Sequence, residues 1–252
     1  MQVRSMAAAA QAMVARLMRF PTPLIPATLV RRYKRFLADV VLPDGTAAIA
    51  HCPNPGAMLG LAVPGAAIWL SPARAGRKLA FTWELERVGD HLVGIHTGHP
   101  NAIAAEAVAS AAIPALHGYD PARREVRYGR NSRIDLLLTH PERPACWVEV
   151  KNVHLRRGDR AEFPDCVTLR GAKHLEELGD RVDAGERAVM LYVVQRADCR
   201  CFAIAADLDP GYAKALARAR GRGVEVLCLA CTVTTDGITI GAPLPLALDA
   251  PG

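Results

Sequence analysis

Between Cys146 and Val153 the chain reads Cys-Trp-Val-Glu-Val-Lys-Asn-Val, a run apolar enough for an interior strand that nevertheless carries one carboxylate and one ammonium. Residues two apart on a β-strand share a face, so Glu149 and Lys151 project together while Val148 and Val150 point the other way. Fourteen positions before Glu149, Asp135 lies in an equally apolar run, Arg133-Ile-Asp-Leu-Leu-Leu. If the two strands are neighbours, two carboxylates and an ammonium meet on one sheet face. Such a grouping is costly in an ordinary core. It suits a hard divalent cation, Mg2+ or Mn2+, held through oxygens by Asp135, Glu149 and the backbone carbonyl of Val150. Lys151 is then placed to orient a water or meet a phosphate. A Glu-x-Lys pair on a strand is more commonly solvated, but the apolar flanks here belong to interior strands and not to a wet edge.

The surrounding pattern divides the chain in two. From Leu24 to Thr97, short runs are separated by Gly/Pro turns: Arg32–Leu42, Thr46–His51, Ala66–Leu70, Leu79–Val88 and His91–Thr97. Alternation is clearest where Phe81, Trp83 and Leu85 face one way and Thr82, Glu84 and Glu86 the other. Short antiparallel strands at this spacing predict a five-stranded OB-like β-barrel over residues 24–97. After Pro100 strands alternate with single helices, which predicts a mixed α/β (α+β) domain over 98–252. Its helices are expected at Ala102–Ile113, with Asn101 as N-cap, at Thr168–Leu178 and at Gly211–Arg220. The first of these carries Glu106, which is read as a third acid for the cation. Residues 1–23 are Ala- and Met-rich, lack a signal-peptide pattern, and are expected to be a disordered extension.

The formal charge of +6 and sequence pI of about 9.1 fit an anionic partner. Basic residues interleave with aromatics at Arg31, Arg32, Tyr33, Lys34 and Arg35, a composition suited to tracking a sugar-phosphate chain and stacking bases. The helix after the Lys151 strand adds Arg170, Lys173 and His174 at helical neighbour spacings. The intervening segment 154–165, with Arg156, Arg157 and Arg160, reads as a mobile basic clamp. No apolar run is long enough to span a bilayer. The seven cysteines are an odd number in a chain of this size, which points to a reducing, cytoplasmic setting and not to a disulfide framework. Cys199-x-Cys201 and Cys228-x-x-Cys231 have a zinc-like look, but both lie in strand-like apolar runs where cysteine serves as a small hydrophobe.

Several stretches together carry a family resemblance: RRYKRFLAD (31–39), HCPNPG (51–56), TWEL (82–85), Pro100-Asn101, GRNSRIDLLL (129–138), WVEVKNV (147–153), FPD (163–165), RGAKHL (170–175) and VVQR (193–196). In these the chain resembles the sugar fermentation stimulation protein A (SfsA) family from about Leu24 to the last strand. It departs from the pattern at Leu169 and Pro55 and in its N-terminal extension. The resemblance implies an N-terminal OB-like domain followed by a PD-(D/E)xK nuclease-like domain, with DNA as the partner. Carried over by motif, the nuclease residues are Asp135, Glu149 and Lys151, with Glu106 as the helix acid. Two functions follow as expectations. One is Mg2+- or Mn2+-dependent hydrolysis of phosphodiester bonds; the other is a DNA-binding regulator of sugar metabolism that keeps the fold without cutting. Strand form of the DNA and oligomeric state, a homodimer included, stay open in the sequence.

Overall fold

The computed structural model describes residues 18–73, 76–129 and 131–248. Strands β1 (Met18–Arg19), β2 (Ile25–Tyr33), β3 (Leu37–Val41), β4 (Ala47–His51), β5 (Ala67–Pro72), β6 (Phe81–Val88) and β7 (His91–Gly94) open the chain. β2 to β7 form one sheet in the order β4-β3-β2-β5-β6-β7, and a further β4–β6 pairing closes five of them into the expected barrel. Closure satisfies the strand edges internally. Leu29, Val40, Ile68, Leu70 and Trp83 fill the interior.

Two local expectations change. The run Arg32–Leu42 is broken into β2 and β3 by Lys34 and Arg35, whose φ angles of 47° and 64° reverse the chain. Glu84 and Glu86 are buried, although alternation places them outside. A register irregularity between Trp69 and Leu70, opposite β6, offsets the simple period, and neighbouring segments cover both carboxylates.

The second half contains α1 (His99–Ala109), β8 (Arg123–Tyr128), β9 (Ser132–His140), β10 (Arg143–Val153), β11 (Leu155–Arg157), β12 (Arg160–Phe163), α2 (Leu169–Asp183), β13 (Arg187–Val194), β14 (Cys201–Ile204), α3 (Pro210–Gly221), β15 (Glu225–Val233) and β16 (Gly237–Pro243). Its main sheet runs β1-β16-β15-β13-β10-β9-β8, parallel where β10, β13 and β15 meet and antiparallel elsewhere. Apolar side chains of α2 and α3 pack on one face of this sheet, with Leu175, Leu178, Tyr212 and Leu216 against Met190 and Tyr192. α1 covers the other face through Ile103, Ala104 and Ala107, where Leu85 of the barrel also joins the core. The central strands are therefore dry on both sides, which is why β13 reads as a continuous apolar run.

The N-terminal extension ends earlier than expected. Met18 and Arg19 pair with β16, and Phe20 is buried, because these apolar side chains complete the α1 face. Residues 1–17 lie outside the described residues. Segment 154–165 is no loose clamp: β11 and β12 form a hairpin whose second strand pairs with β14. Its cations are already engaged, Arg157 with Glu162 and Asp207, Arg156 with Asp198, and Arg160 with Glu162. Cys228 and Cys231 are three apart on one strand and so face opposite sides of the sheet, one in each core. That geometry cannot present both sulfurs to one ion. Among the described residues, no helix is long and apolar enough to cross a membrane.

Candidate metal and nucleic-acid site

β9 and β10 pair antiparallel with Leu138 opposite Cys146, Leu137 opposite Trp147 and Leu136 opposite Val148. One step further along this register sets Asp135 opposite Glu149. The ladder ends there, and the Asp135 carboxylate takes over: its Oδ2 accepts the Val150 amide proton at 2.7 Å. Val150 is thus tied to the site through its N–H group. Oδ1 of Asp135 accepts from the Asn101 side chain at 2.5 Å.

Asn101 reaches Asp135 because α1 begins three residues earlier than the sequence suggests. Pro100 occupies the first turn, where its fixed φ and missing N–H are tolerated, and Gly98 is the N-cap. Asn101 is therefore a helical residue with a free side chain and not a cap. Glu106 lies five positions on, about 140° around the helix at ~100° per residue. It lines a separate crevice with Ser110, Ile238 and Thr239. The α1 residue at the paired acids is thus Asn101, and Glu106 does not join them. A further acid arrives from β8: Glu125, with φ of 53°, stands across from Asp135, and Asn101 lies 3.5 Å from its Oε1.

Glu149 is 3 % exposed. Its Oε1 accepts from Lys151 Nζ at 2.6 Å and contacts Nδ1 of His174 on α2. Arg170 donates to His174 Nε2 at 3.2 Å, which leaves the ring proton on Nδ1, facing Glu149. His174 is buried, so it positions Glu149 and is not exposed to a phosphate backbone as the sequence suggests. Thr168 caps α2 by accepting from the Gly171 amide and so sets the helix start that aims His174 inward.

The charges are unevenly balanced. Burial favours the neutral form of Glu149, yet Lys151 and His174 outweigh it and hold the carboxyl below its ordinary range. Asp135 moves the other way. Burial and then the Glu149 charge push it up to about 6, against the Val150 amide, Lys151 and Asn101. Among the described residues, Oε2 of Glu149 is buried with no hydrogen-bond partner, and so is the Tyr128 hydroxyl. Burial, Glu149, Glu177 and Asp135 together raise Tyr128 well above the ordinary phenol range. The pocket therefore holds an unanswered carboxylate oxygen and a surplus of negative charge. Oxygen donors in this state fit a hard dication such as Mg2+ or Mn2+.

The rim is basic. A cavity of about 490 Å³ is bordered by Arg127, Tyr128, Asn131, Ser132 and Arg133. Lys173 is exposed on the adjacent helix face, bonds Ser132 at 3.2 Å and pairs with Glu177. Gly129 opens this rim with φ of 54°, and a Cβ there would come within 2.6 Å of Glu177. Sequence patterning did not single out Arg127 and Arg133, although their alternation with Val126, Tyr128 and Ile134 signals an exposed face.

The barrel cluster divides. Arg31 is exposed, pairs with Asp39 at 2.7 Å and lies over the Tyr33 ring at 5.0 Å. Lys34 and Arg35 are exposed at the hairpin tip. Arg32 is not available: its guanidinium donates to the carbonyls of Asn54, Gly56 and Arg35. It holds the 53–58 loop, which in turn donates the Met58 amide to Asp165 at 2.8 Å across to the second half.

Both halves of the chain match known proteins. The family model "SfsA N-terminal OB domain" matches residues 30–95, and "Sugar fermentation stimulation protein RE domain" matches 98–237. A sugar fermentation stimulation protein homolog of Paramagnetospirillum magneticum is 62% identical over 232 residues, covering 92% of this chain and 98% of the relative. One from Rhodospirillum centenum is 65% identical, covering 91% and 100%. Among solved structures, SfsA of Pyrococcus furiosus in complex with Ca2+ superposes with a TM-score of 0.83 at 27% identity, covering 91% of this chain and 98% of the other.

Proposed function

This chain belongs to the sugar fermentation stimulation protein family, and from that premise and the site geometry we propose that it is a DNA-binding, divalent-metal-dependent phosphodiesterase. The observation that carries the reading is the buried Oε2 of Glu149, without a hydrogen-bond partner among the described residues, beside an Asp135 pushed toward the neutral form by burial and then by the Glu149 charge. Apposed like charges in a desolvated pocket are a standing cost that a bound dication removes. The Ca2+ complex of the Pyrococcus relative supports a hard-cation pocket in this fold.

In this reading Asp135 and Glu149 hold Mg2+ or Mn2+, and the ion supplies Lewis-acid polarisation of a phosphate and a more acidic bound water. Asn101 and the Val150 amide fix the Asp135 carboxylate, while His174, itself held by Arg170, fixes Glu149. Lys151 Nζ stands at the pocket beside Glu149, where charge builds on the attacked phosphate. Arg127, Arg133, Lys173 and the barrel residues Arg31, Lys34 and Arg35 supply sequence-independent phosphate contacts.

The test incubates purified protein with labelled single- and double-stranded DNA, with and without Mg2+ or Mn2+, alongside calorimetric titration of Mn2+ into wild type and Asp135→Ala. Cleavage that requires metal, with metal uptake lost in Asp135→Ala, is the expected result. The Lys151–Glu149 ion pair favours a second reading, in which the pocket neutralises itself and the protein binds DNA without cutting. DNA binding with neither cleavage nor metal uptake would establish that reading instead.

A further inference from the structure

Away from the paired acids, a cavity of about 620 Å³ opens where the barrel meets the first turn of α1. At its wall Glu84 of β6, His96 of the link after β7 and His99 of α1 each offer one ligand atom, and the three atoms lie within 4.8 Å of one another. His99 Nε2 is 2.7 Å from Glu84 Oε2. The other carboxylate oxygen of Glu84 accepts from Ser71 at 2.6 Å. Supporting hydrogen bonds of this kind orient ligating carboxylates in metal sites. The two imidazoles stack at 4.0 Å between centroids, tilted 22°, and His96 Nδ1 accepts from the Gly98 amide at 3.0 Å.

We propose that Glu84, His96 and His99 form a second metal site, selective for a borderline ion of the Zn2+ class, which staples the barrel to α1. Two imidazole nitrogens and one carboxylate oxygen match the donor set of three-ligand zinc sites that keep a fourth position for water. All three residues line the cavity, which leaves space beside them for such a fourth ligand. Imidazole donors favour Zn2+ over Mg2+ or Ca2+, whereas the all-oxygen donors at Asp135 and Glu149 favour the opposite. The two sites are therefore chemically orthogonal. In a tetrahedral zinc centre the ligand atoms stand about 3.3 Å apart. Binding requires the Glu84–His99 contact to widen slightly and the His96 ring to turn out of its stack, giving up the Gly98 bond. Burial and the adjacent His99 hold His96 down at about 4, so at neutral pH it presents a lone pair and not a charge. Glu84 lies in the barrel and His99 in the helix that carries Asn101, so the ion would hold the helix start on which the Asp135 contact depends.

The experiment measures Zn2+ binding to the full chain by calorimetry and by metal content after dialysis, together with the visible spectrum of the Co2+-loaded protein. Wild type is expected to take one zinc per chain, to melt at a higher temperature with zinc, and to give a Co2+ spectrum free of thiolate charge-transfer bands. His96→Ala and His99→Ala should each lose at least tenfold in zinc affinity, and Asp135→Asn should retain wild-type binding. His96→Ala is the decisive variant, since the His96 side chain accepts only the Gly98 amide among the described residues and its removal spares the Glu84–His99 pair and the backbone bonds of the His96 carbonyl. No zinc uptake by wild type, binding unchanged in a folded His96→Ala, loss of binding in Asp135→Asn, or a thiolate band would each overturn the site.

Discussion

Glu86 in the barrel and Asp135 in the mixed sheet are both pushed above the usual carboxylate range, to about 7 and about 6, by different routes. Glu86 is raised by burial alone: both its oxygens accept the Ala62 amide at 3.0 Å, and no like charge presses on it. Asp135 is raised by burial and then by the facing Glu149. In the barrel the surrounding backbone answers the carboxylate. In the sheet a neighbouring carboxylate worsens it, and one oxygen of that neighbour has no partner among the described residues. Glu86 is thus perturbed by burial alone, and Asp135 by burial together with a second acid.

The strongest way to break this contrast is at Lys151. Lys151→Ala is expected to lower any metal-dependent DNA hydrolysis by about 10²–10³-fold, the effect of deleting one transition-state charge contact. DNA affinity should change little, because Lys151 is one of 31 lysines and arginines. Single-turnover cleavage beside filter binding checks both, and a wild-type cleavage rate would remove this pocket from the chemistry. Glu149→Ala should differ by losing Mn2+ uptake as well.

Next in size is the pH dependence of stability. Glu86 has a folded pKa of about 7 against an ordinary 4.5, so the folded state holds the proton more tightly. Stability is then full below about 4.5 and falls as pH rises through 7. Glu86→Gln should match wild type at pH 4.5 and exceed it at pH 8 by about 1–3 kcal/mol. Urea melts across that range provide the check, and parallel curves would exclude the burial argument.

Asp135 sharpens the comparison through its response to metal. Without divalent ions Asp135→Asn should be more stable than wild type at pH 7 by about 1–2 kcal/mol, since it removes the apposed charge. Added Mn2+ should reverse the order, because a ligand that binds only the folded state stabilises wild type alone. The Glu86→Gln difference should be indifferent to Mn2+. If Mn2+ shifts both melts equally, the two carboxyls are not distinguished by a cation site.

The smallest effects belong to the exposed cations. Removing Arg31, Lys34 and Arg35 together should reduce the slope of log K against log salt by about one for each phosphate that is no longer neutralised. Arg32→Ala should instead lower the melting temperature with little change in slope, since Arg32 is committed to the carbonyls of Asn54 and Gly56. Equal slopes for both variants would place the phosphate-binding cations elsewhere.

Much of this molecule was legible in its residues. Short alternating runs indicated a barrel, and apolar runs alternating with helical periods indicated a covered mixed sheet. Strand periodicity set Glu149 and Lys151 on one face, because side-chain direction along a strand repeats every two residues whatever the partner strand does. What the residues could not reveal depends on register and on helix phase. Asn101 and Glu106 share a helix, and only the start of α1 and its rotation against the sheet decide which of them meets Asp135. His174 reads as a basic surface residue until α2 turns it onto Glu149. Arg32 resembles Arg31 in sequence, and only the fold of the 53–58 loop commits its guanidinium. Glu84, His96 and His99 become neighbours because the barrel docks on α1. Local pattern carries the period of each element, while the phase between elements comes from packing, which is a property of the whole chain.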